Sequence, residues 1–312
     1  MTKTVAVISD VHGNFAALSA VINDARASRV DEFIFIGDYV FDLPFPNEVA
    51  ELLARLENAH IIAGNKEIFL RGMENENQDD WVYDQMACVY QTFRDLTLEN
   101  RAFLTSLPNE MVINICGVKI LAIHYLPFFK PTPKHASSSS AYHKKMLKEP
   151  FTHAQYLADF GDFINSDGIR PHIENMGADV ILFGHNHLQS HAYCGRKLVV
   201  NPGSCGQPLD FNSGASYTIL DITADGVNVR EKKVTYDIEA VIEQAKQTAM
   251  YEKGCIWMDL VFRALRNGRD YFGFLFETAH KVADSKGEKH WFFSNETWAE
   301  TNRLFNLSYP RI

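Results

Sequence analysis

A chain of 312 residues, 46% hydrophobic and 22% charged, can bury a large core without a disulfide or metal staple. Its formal charge of -9 disfavours nucleic acid and anionic membrane as partners, because both select basic surfaces, although bound cations reverse the potential of an acidic pocket. Five scattered cysteines (Cys88, Cys116, Cys194, Cys205, Cys255) with no C-x-x-C spacing argue against a disulfide framework or a cysteine zinc site and fit a reducing cytoplasm.

The opening MTKTVAVISD holds an apolar stretch too short for a signal peptide, and no segment reaches the roughly 18 apolar residues of a membrane span. Val5 to Ile8 reads as a strand buried on both faces. Leu18, Val21, Ile22 and Ala25 then follow the i, i+3, i+4, i+7 spacing of one helix face. Phe33 to Ile36 is a second strand, Val49, Leu52, Leu53 and Leu56 a second helix, and His60 to Ala63 a third strand. That βαβαβ order implies a parallel sheet covered by helices. Met111 to Ile115 and Val118 to Ile123 predict a hairpin turning at Cys116-Gly117. Val180 to Phe183, Leu198 to Val200, Tyr217 to Ile222 and Val227 to Val234 supply further strands, so the second half is expected to add largely antiparallel sheet. Together these imply an α/β fold in which two sheets pack as a sandwich flanked by helices.

Two regions stand apart. Residues 127–175, with Pro127, Pro131, Pro133 and the Ser137 to Ser140 run, read as a cap-like insertion over one face. Residues 237–312 lose strand character and read as three or four helices, the first capped by Asp237. Trp257, Phe262, Tyr271, Phe272, Phe274, Phe276, Trp291, Phe292, Phe293, Trp298 and Phe305 make this tail aromatic. It either packs on the sandwich or forms a dimer or partner surface. The division is thus 1–250 for the main domain and 251–312 for a helical extension.

Short motifs sit where strands end: Asp10-Val11-His12, Gly37-Asp38, Gly64-Asn65, His124 and Gly184-His185-Asn186-His187. In an open α/β sheet, loops at the carboxyl ends of strands converge on one crevice. Each motif alone has a bland reading as turn chemistry or a core histidine. In this order, each at a strand end, coincidence is a poor account of them. All seven side chains (Asp10, His12, Asp38, Asn65, His124, His185, His187) are oxygen or nitrogen ligands suited to manganese, iron or zinc. They exceed what one ion takes from a protein, whereas two ions sharing one carboxylate would use them all.

The run Ile8-Ser9-Asp10-Val11-His12-Gly13-Asn14, with Gly37-Asp38, Gly64-Asn65, Gly184-His185-Asn186-His187 and Asn201-Pro202-Gly203-Ser204, resembles the calcineurin-like metallophosphoesterase superfamily. Cys205-Gly206-Gln207-Pro208 resembles its compact bacterial and archaeal phosphodiesterase branch. The resemblance covers about residues 4–250. It implies a four-layer αββα sandwich of mixed sheets, with Asp10, His12 and His187 on one divalent metal, Asn65, His124 and His185 on a second, and Asp38 bridging. It also implies hydrolysis of a phosphodiester or nucleotide phosphoanhydride by a metal-bound hydroxide, with manganese the first choice of metal and iron or zinc the alternatives. Asn201 to Ser204 becomes a loop beside the site.

One position departs from the family pattern. The usual Gly-Asn-His-Asp or -Glu, whose histidine assists the leaving group, is here Gly64-Asn65-Lys66-Glu67. Lys66 offers a positive charge and a proton in the histidine's place, or is a plain surface lysine, and Glu67 is expected to pair with it. His135, His143, His153, His172, Lys144, Lys145 and Lys148 make a weaker basic group in the insertion, read as a phosphate contact or a solvated patch. Cys205 is either oxidation-sensitive or merely packed. Phe128, Phe129 and Tyr142 are candidates to stack on a base. The expected partner is a small phosphorylated substrate, with a nucleotide among the choices, and the C-terminal helices offer a route to a homo-oligomer. The competing reading is a non-catalytic metal-binding scaffold or partner-binding module on the same fold.

Overall fold

Along the first strand, β1 (Lys3–Ile8), side chains alternate between two cores. Ala6 and Ile8 face Leu18, Val21, Ile22, Val49 and Leu53 of the first two helices, α1 (Phe15–Ala27) and α2 (Pro46–Ala54). Val5 and Val7 face the other way, onto Ile120, Ala122, Leu182 and Val200 of a second sheet. The run Val5 to Ile8, apolar at every position, therefore needs partners on both sides, and this period-2 split is what makes the molecule layered.

These relations come from a computed structural model that describes residues 2–129, 135, 138–288 and 292–308. Pro131, Pro133, Ser137, Trp291 and the side chain of Cys255 lie outside the described residues. After β1, α1, β2 (Glu32–Phe35), α2 and β3 (Ala59–Ile61) come α3 (Asn65–Met73), α4 (Ala87–Asp95) and α5 (Leu98–Ser106). Next are β4 (Glu110–Ile115), β5 (Val118–Ile123), α6 (Ser139–Lys148), α7 (His153–Ile164), α8 (Arg170–Glu174) and β6 (Val180–Leu182). The chain continues through β7 (Ser190–Cys194), β8 (Lys197–Asn201), β9 (Ala215–Thr223) and β10 (Gly226–Val234). It closes with α9 (Ile238–Ala245), α10 (Ala249–Asn267), α11 (Phe272–Lys286) and α12 (Asn295–Ser308).

The sheets run β10-β9-β1-β2-β3 and β4-β5-β6-β8-β7. Within them β1, β2 and β3 are mutually parallel, as are β5, β6 and β8. As expected, the second half adds largely antiparallel sheet, through the β4–β5, β7–β8, β9–β10 and β1–β9 pairs, with β5–β6 and β6–β8 parallel. The β9–β10 hairpin crosses back to pair antiparallel with β1, while β6 and β8 extend the parallel set begun by β5. Short strands such as β6 and β8 carry no sequence mark of direction; the connections decide it. Strand β7 was not foreseen, because Ser190-His191-Ala192-Tyr193-Cys194 lacks an apolar run. The β4–β5 turn is as read, with Cys116 and Gly117 at φ 53° and 85°, the positive pair that a tight hairpin demands.

The fourth layer comes from the stretch read as an insertion. Phe160 and Phe163 of α7 and Ile173 of α8 cover the outer face of the second sheet through Ile181 and Val199. The resulting order is helices, sheet, sheet, helices: an αββα sandwich. Among the described residues the tail is four helices, with the Asp237 carboxylate accepting from the Ala240 N–H at 2.9 Å as the expected cap. Met258, Val261 and Phe262 of α10 pack with Cys88, Val241 and Ile242, while Tyr271, Leu275, Phe293, Trp298 and Phe305 form a cluster with Leu260. Helix α10 kinks at Gly254, where a Cβ would stand 2.3 Å from Cys88 Sγ. That close approach seats Trp257 beside the sandwich's loop edge. Among the described residues, no helix is long and apolar enough to cross a membrane.

Candidate metal centre

Because β1, β2, β3, β5 and β6 are parallel within their sheets, their carboxyl ends present loops to one edge, and all seven singled-out side chains meet there. Five of them (Asp10, His12, Asp38, His185 and His187) have φ between 51° and 71°. Non-glycine residues adopt this left-handed region at a cost of roughly 1–2 kcal/mol each. The strain is held by loop-to-loop hydrogen bonds: Asp10 N–H to Gly37 O at 3.0 Å, Val11 and His12 N–H to Asp38 O at 2.8 and 3.0 Å, and Gly184 N–H to His124 O at 3.0 Å. Gly64 is needed for the same contact. A Cβ there would lie 2.2 Å from Asp38 Oδ1.

Two groups of three titratable side chains result, Asp10, His12 and His187, and Asp38, His124 and His185, each with its ligand atoms within 4.8 Å of one another. His12 Nε2 is 3.1 Å from His187 Nε2, and Asp10 Oδ1 is 3.3 Å from His187 Nε2 and 3.8 Å from His12 Nε2. In the second group, Asn65 Oδ1 lies 3.1 Å from His124 Nε2 and 2.8 Å from His185 Nδ1. Asp38 Oδ2 reaches both groups, 3.4 Å from His124 Nε2 and 3.9 Å from His12 Nε2. Its other oxygen is fixed by the Lys66 N–H at 2.9 Å, at the positive end of α3. Two ligands each about 2.1 Å from one ion sit about 3.0–3.4 Å apart, the scale of these contacts.

The histidine tautomers test whether the site fits cations. His187 Nδ1 is 2.6 Å from the Gln207 carbonyl and His124 Nδ1 is 2.6 Å from the Ile36 carbonyl. His12 Nδ1 is 2.6 Å from Asp42 Oδ2, in contact though off the line of a regular hydrogen bond. A carbonyl or carboxylate only accepts, so each Nδ1 carries the proton and each neutral ring turns an Nε2 lone pair inward. Two such lone pairs facing across 3.1 Å, beside the buried carboxylates of Asp10 and Asp38, repel unless a cation lies between them. On the protein atoms alone, protons take that part. Burial pushes His12 and His124 down, but Asp10 and Asp42 around the one and Asp38 around the other carry them up to about 9 and about 10. Asp38, despite burial, is held down at about 2 chiefly by His124. The donor set fits divalent metal.

Residues 3–189, more than half of the 312-residue chain, match the calcineurin-like phosphoesterase family. The chain belongs to that family. An uncharacterized protein of Methanocaldococcus jannaschii is 29% identical over 263 residues, which cover 80% of this chain and 94% of that protein. Two solved structures share the fold: a hypothetical protein of Pyrococcus horikoshii (TM-score 0.62, 20% identity, 85% of this chain and 98% of the other) and a metallophosphoesterase of Sphaerobacter thermophilus (0.56, 22%, 86% and 100%). Membership makes the chain a phosphoesterase hydrolase by family, and the two groups of side chains are its candidates for the divalent metals that the family uses.

Two supports of this site, Asp42 and its contact with Trp257, carried no signal in the sequence. Asp42, four residues beyond Asp38, is the acceptor behind His12, and Trp257 Nε1 of the tail donates to its other oxygen at 2.6 Å. Glu67 does not pair with Lys66. Its buried carboxylate accepts from the N–H groups of Gly64, Asp38 and Tyr39 at 2.8, 2.9 and 2.8 Å, clipping the β2 and β3 loops together. Lys66 Nζ instead lies 3.9 Å from Asp42 Oδ2 and lines the cleft with His12, Asp38 and His187. Asn201 to Ser204 runs beside the site, Ser204 Oγ donating to the Asp10 carbonyl at 2.7 Å. Cys205 is fully buried, which pushes its thiol well up and leaves it a packed residue.

Most of the other basic candidates are occupied elsewhere: Lys144 pairs with Glu277, Lys145 with Asp159 at 2.8 Å, His153 with Glu231 at 2.5 Å, and His172 stacks on Phe128, while Lys148 is exposed at the end of α6. His143 is buried against the Asp270 carbonyl, and His135 is buried 3.5 Å from Asp159. Phe129 and Tyr142 are buried in the packing of α6 and α7, so they do not offer a stacking face.

Asp42→Asn should lower divalent-metal affinity by roughly 10–100-fold, the usual cost of removing the acceptor behind a histidine ligand. An amide can turn its NH₂ to Nδ1 and so favour the wrong tautomer. Titration of metal-stripped protein with Mn²⁺ measures this; unchanged affinity would show that Asp42 does not orient His12.

Proposed function

We propose that the chain hydrolyses a phosphodiester or nucleotide phosphoanhydride with two divalent cations, manganese being the first candidate. Asp10, His12 and His187 would hold one, Asn65, His124 and His185 the other, and Asp38 both. The observation that carries this reading is Asp38 Oδ2 set between two clusters whose histidine lone pairs converge. Bound there, a pair of cations neutralises phosphate charge and lowers the pKa of water towards neutrality.

The chain's own residues do the rest. Gln207, Ile36 and Asp42 fix the imidazoles of His187, His124 and His12 so that Nε2 faces inward. Lys66 has its ammonium stabilised: burial lowers its pKa, but Asp42 and Asp38 prevail and raise it, so it stays charged at neutral pH. It therefore cannot take a proton from water, and its part is to meet a phosphate oxygen or leaving group with positive charge. We assign the catalytic unit to residues 1–250, with 251–312 as an extension that completes the cleft wall through Trp257 and Phe276. A cytoplasmic setting accords with Cys88, Cys116, Cys194 and Cys205 standing outside any disulfide among the described residues.

The test is cleavage of bis(p-nitrophenyl) phosphate. Hydrolysis should require Mn²⁺ or another divalent ion, cease with chelator and return when metal is restored. Absence of hydrolysis with every divalent metal, over this and a panel of nucleotide substrates, would overturn the reading in favour of a metal-binding scaffold.

A further inference from the structure

Beside the metal centre lies a second cleft, of about 420 Å³, within the roughly 300–1,000 Å³ range of small-molecule sites. Its walls include the rings of Phe41, Phe69, Trp257, Phe276, Phe292 and Trp298. It is continuous with the metal cleft, since Asp42, Asn65, Lys66, Trp257 and Phe276 line both. The rings meet at open angles: Phe41 and Phe69 at 76°, Trp257 and Phe276 at 62°, Phe276 and Trp298 at 44°. Phe41 and Trp298 are buried in these contacts and back the cleft, so the rings that a ligand could reach are Phe69, Trp257, Phe276 and Phe292. Phe69 and Phe276 are each 38% exposed, an apolar surface that a ligand would cover.

Resting on the phosphoesterase reading above, we infer that this cleft binds a nucleobase, so that the substrate is a nucleotide whose phosphate sits at the metals and whose base lies among the tail's rings. Flat rings on several sides suit a planar heterocycle, which stacks on any aromatic face. Lys66 stands at the junction, where its charge would meet the phosphate between the two clefts. The site is supplied by the β2–α2 loop and α3 together with the C-terminal tail. This gives the aromatic tail a role in choosing substrate, and it moves the stacking surface away from the buried rings of α6 and α7.

Isothermal titration of Mn²⁺-loaded protein with non-hydrolysable phosphonate analogues of AMP, ribose 5-phosphate and octyl phosphate tests the inference. The AMP analogue should bind at least tenfold tighter than the ribose analogue, a difference of about 1.4 kcal/mol. Phe69→Ala and Phe276→Ala should remove most of that difference, and Phe276→Trp should keep it. Equal affinities for the two sugar phosphonates would overturn the inference, as would tighter binding of the octyl compound, which would mark an alkyl site. Titration needs no turnover. Base discrimination in a protein that cleaves no ester would therefore sustain the cleft and sink the hydrolase, whereas a Mn²⁺-dependent hydrolase without discrimination would do the reverse.

Discussion

Asp38→Asn should reduce phosphodiester hydrolysis by at least about 100-fold, more than the 10–100-fold typical of residues one step removed from a metal, and leave the fold intact. Asp38 Oδ1 accepts the Lys66 N–H, and Oδ2 faces His124 at 3.4 Å and His12 at 3.9 Å. An asparagine must place its NH₂ at one of these positions. At the first it meets another donor; at the second it points hydrogens at the place where two cations would share an oxygen. Either way a negative charge is lost between the two groups, and the variant should retain fewer metal equivalents than the parent. Metal analysis after gel filtration, paired with steady-state rates and circular dichroism, reads all three. Full turnover with undiminished metal content would remove Asp38 from its bridging role.

Glu67→Ala should destabilise the protein severely. The carboxylate is fully buried and takes three backbone N–H groups, those of Gly64, Asp38 and Tyr39. Each buried donor left without an acceptor costs about 1–3 kcal/mol, so the total is about 3–9 kcal/mol against a typical stability of 5–15 kcal/mol. Glu67→Gln should be intermediate, because its carbonyl oxygen still accepts while its NH₂ opposes a donor. Chemical denaturation should rank the three proteins parent, Gln, Ala. A Glu67→Ala protein as stable as the parent would show that water or a loop shift satisfies the three donors.

The layers and the convergence of the seven side chains were legible because both follow from local rules. Apolar runs such as Val5–Ile8 and Val180–Phe183 announce strands buried on both faces, and polar motifs at their ends announce one crevice. Strand direction was not legible for β6 and β8, because pairing partners far along the chain decide it. Glu67 could have been found: an acid three residues after the residue preceding a helix is a capping signal, and reading it as a partner of Lys66 ignored that spacing. Asp42 and Trp257 carried no such signal. Their contact joins residues 215 apart and exists only because the kink at Gly254 brings α10 onto the loop. The aromatic cleft was hidden for the same reason, since its rings come from the β2–α2 loop, from α3 and from the tail.

The central claim is tested most directly by anomalous diffraction from crystals grown with Mn²⁺. The account predicts two peaks about 3.5–4 Å apart. One should lie at bonding distance from Asp10, His12 and His187, the other from Asn65, His124 and His185, and Asp38 should touch both. A single peak, or peaks away from these side chains, would contradict it.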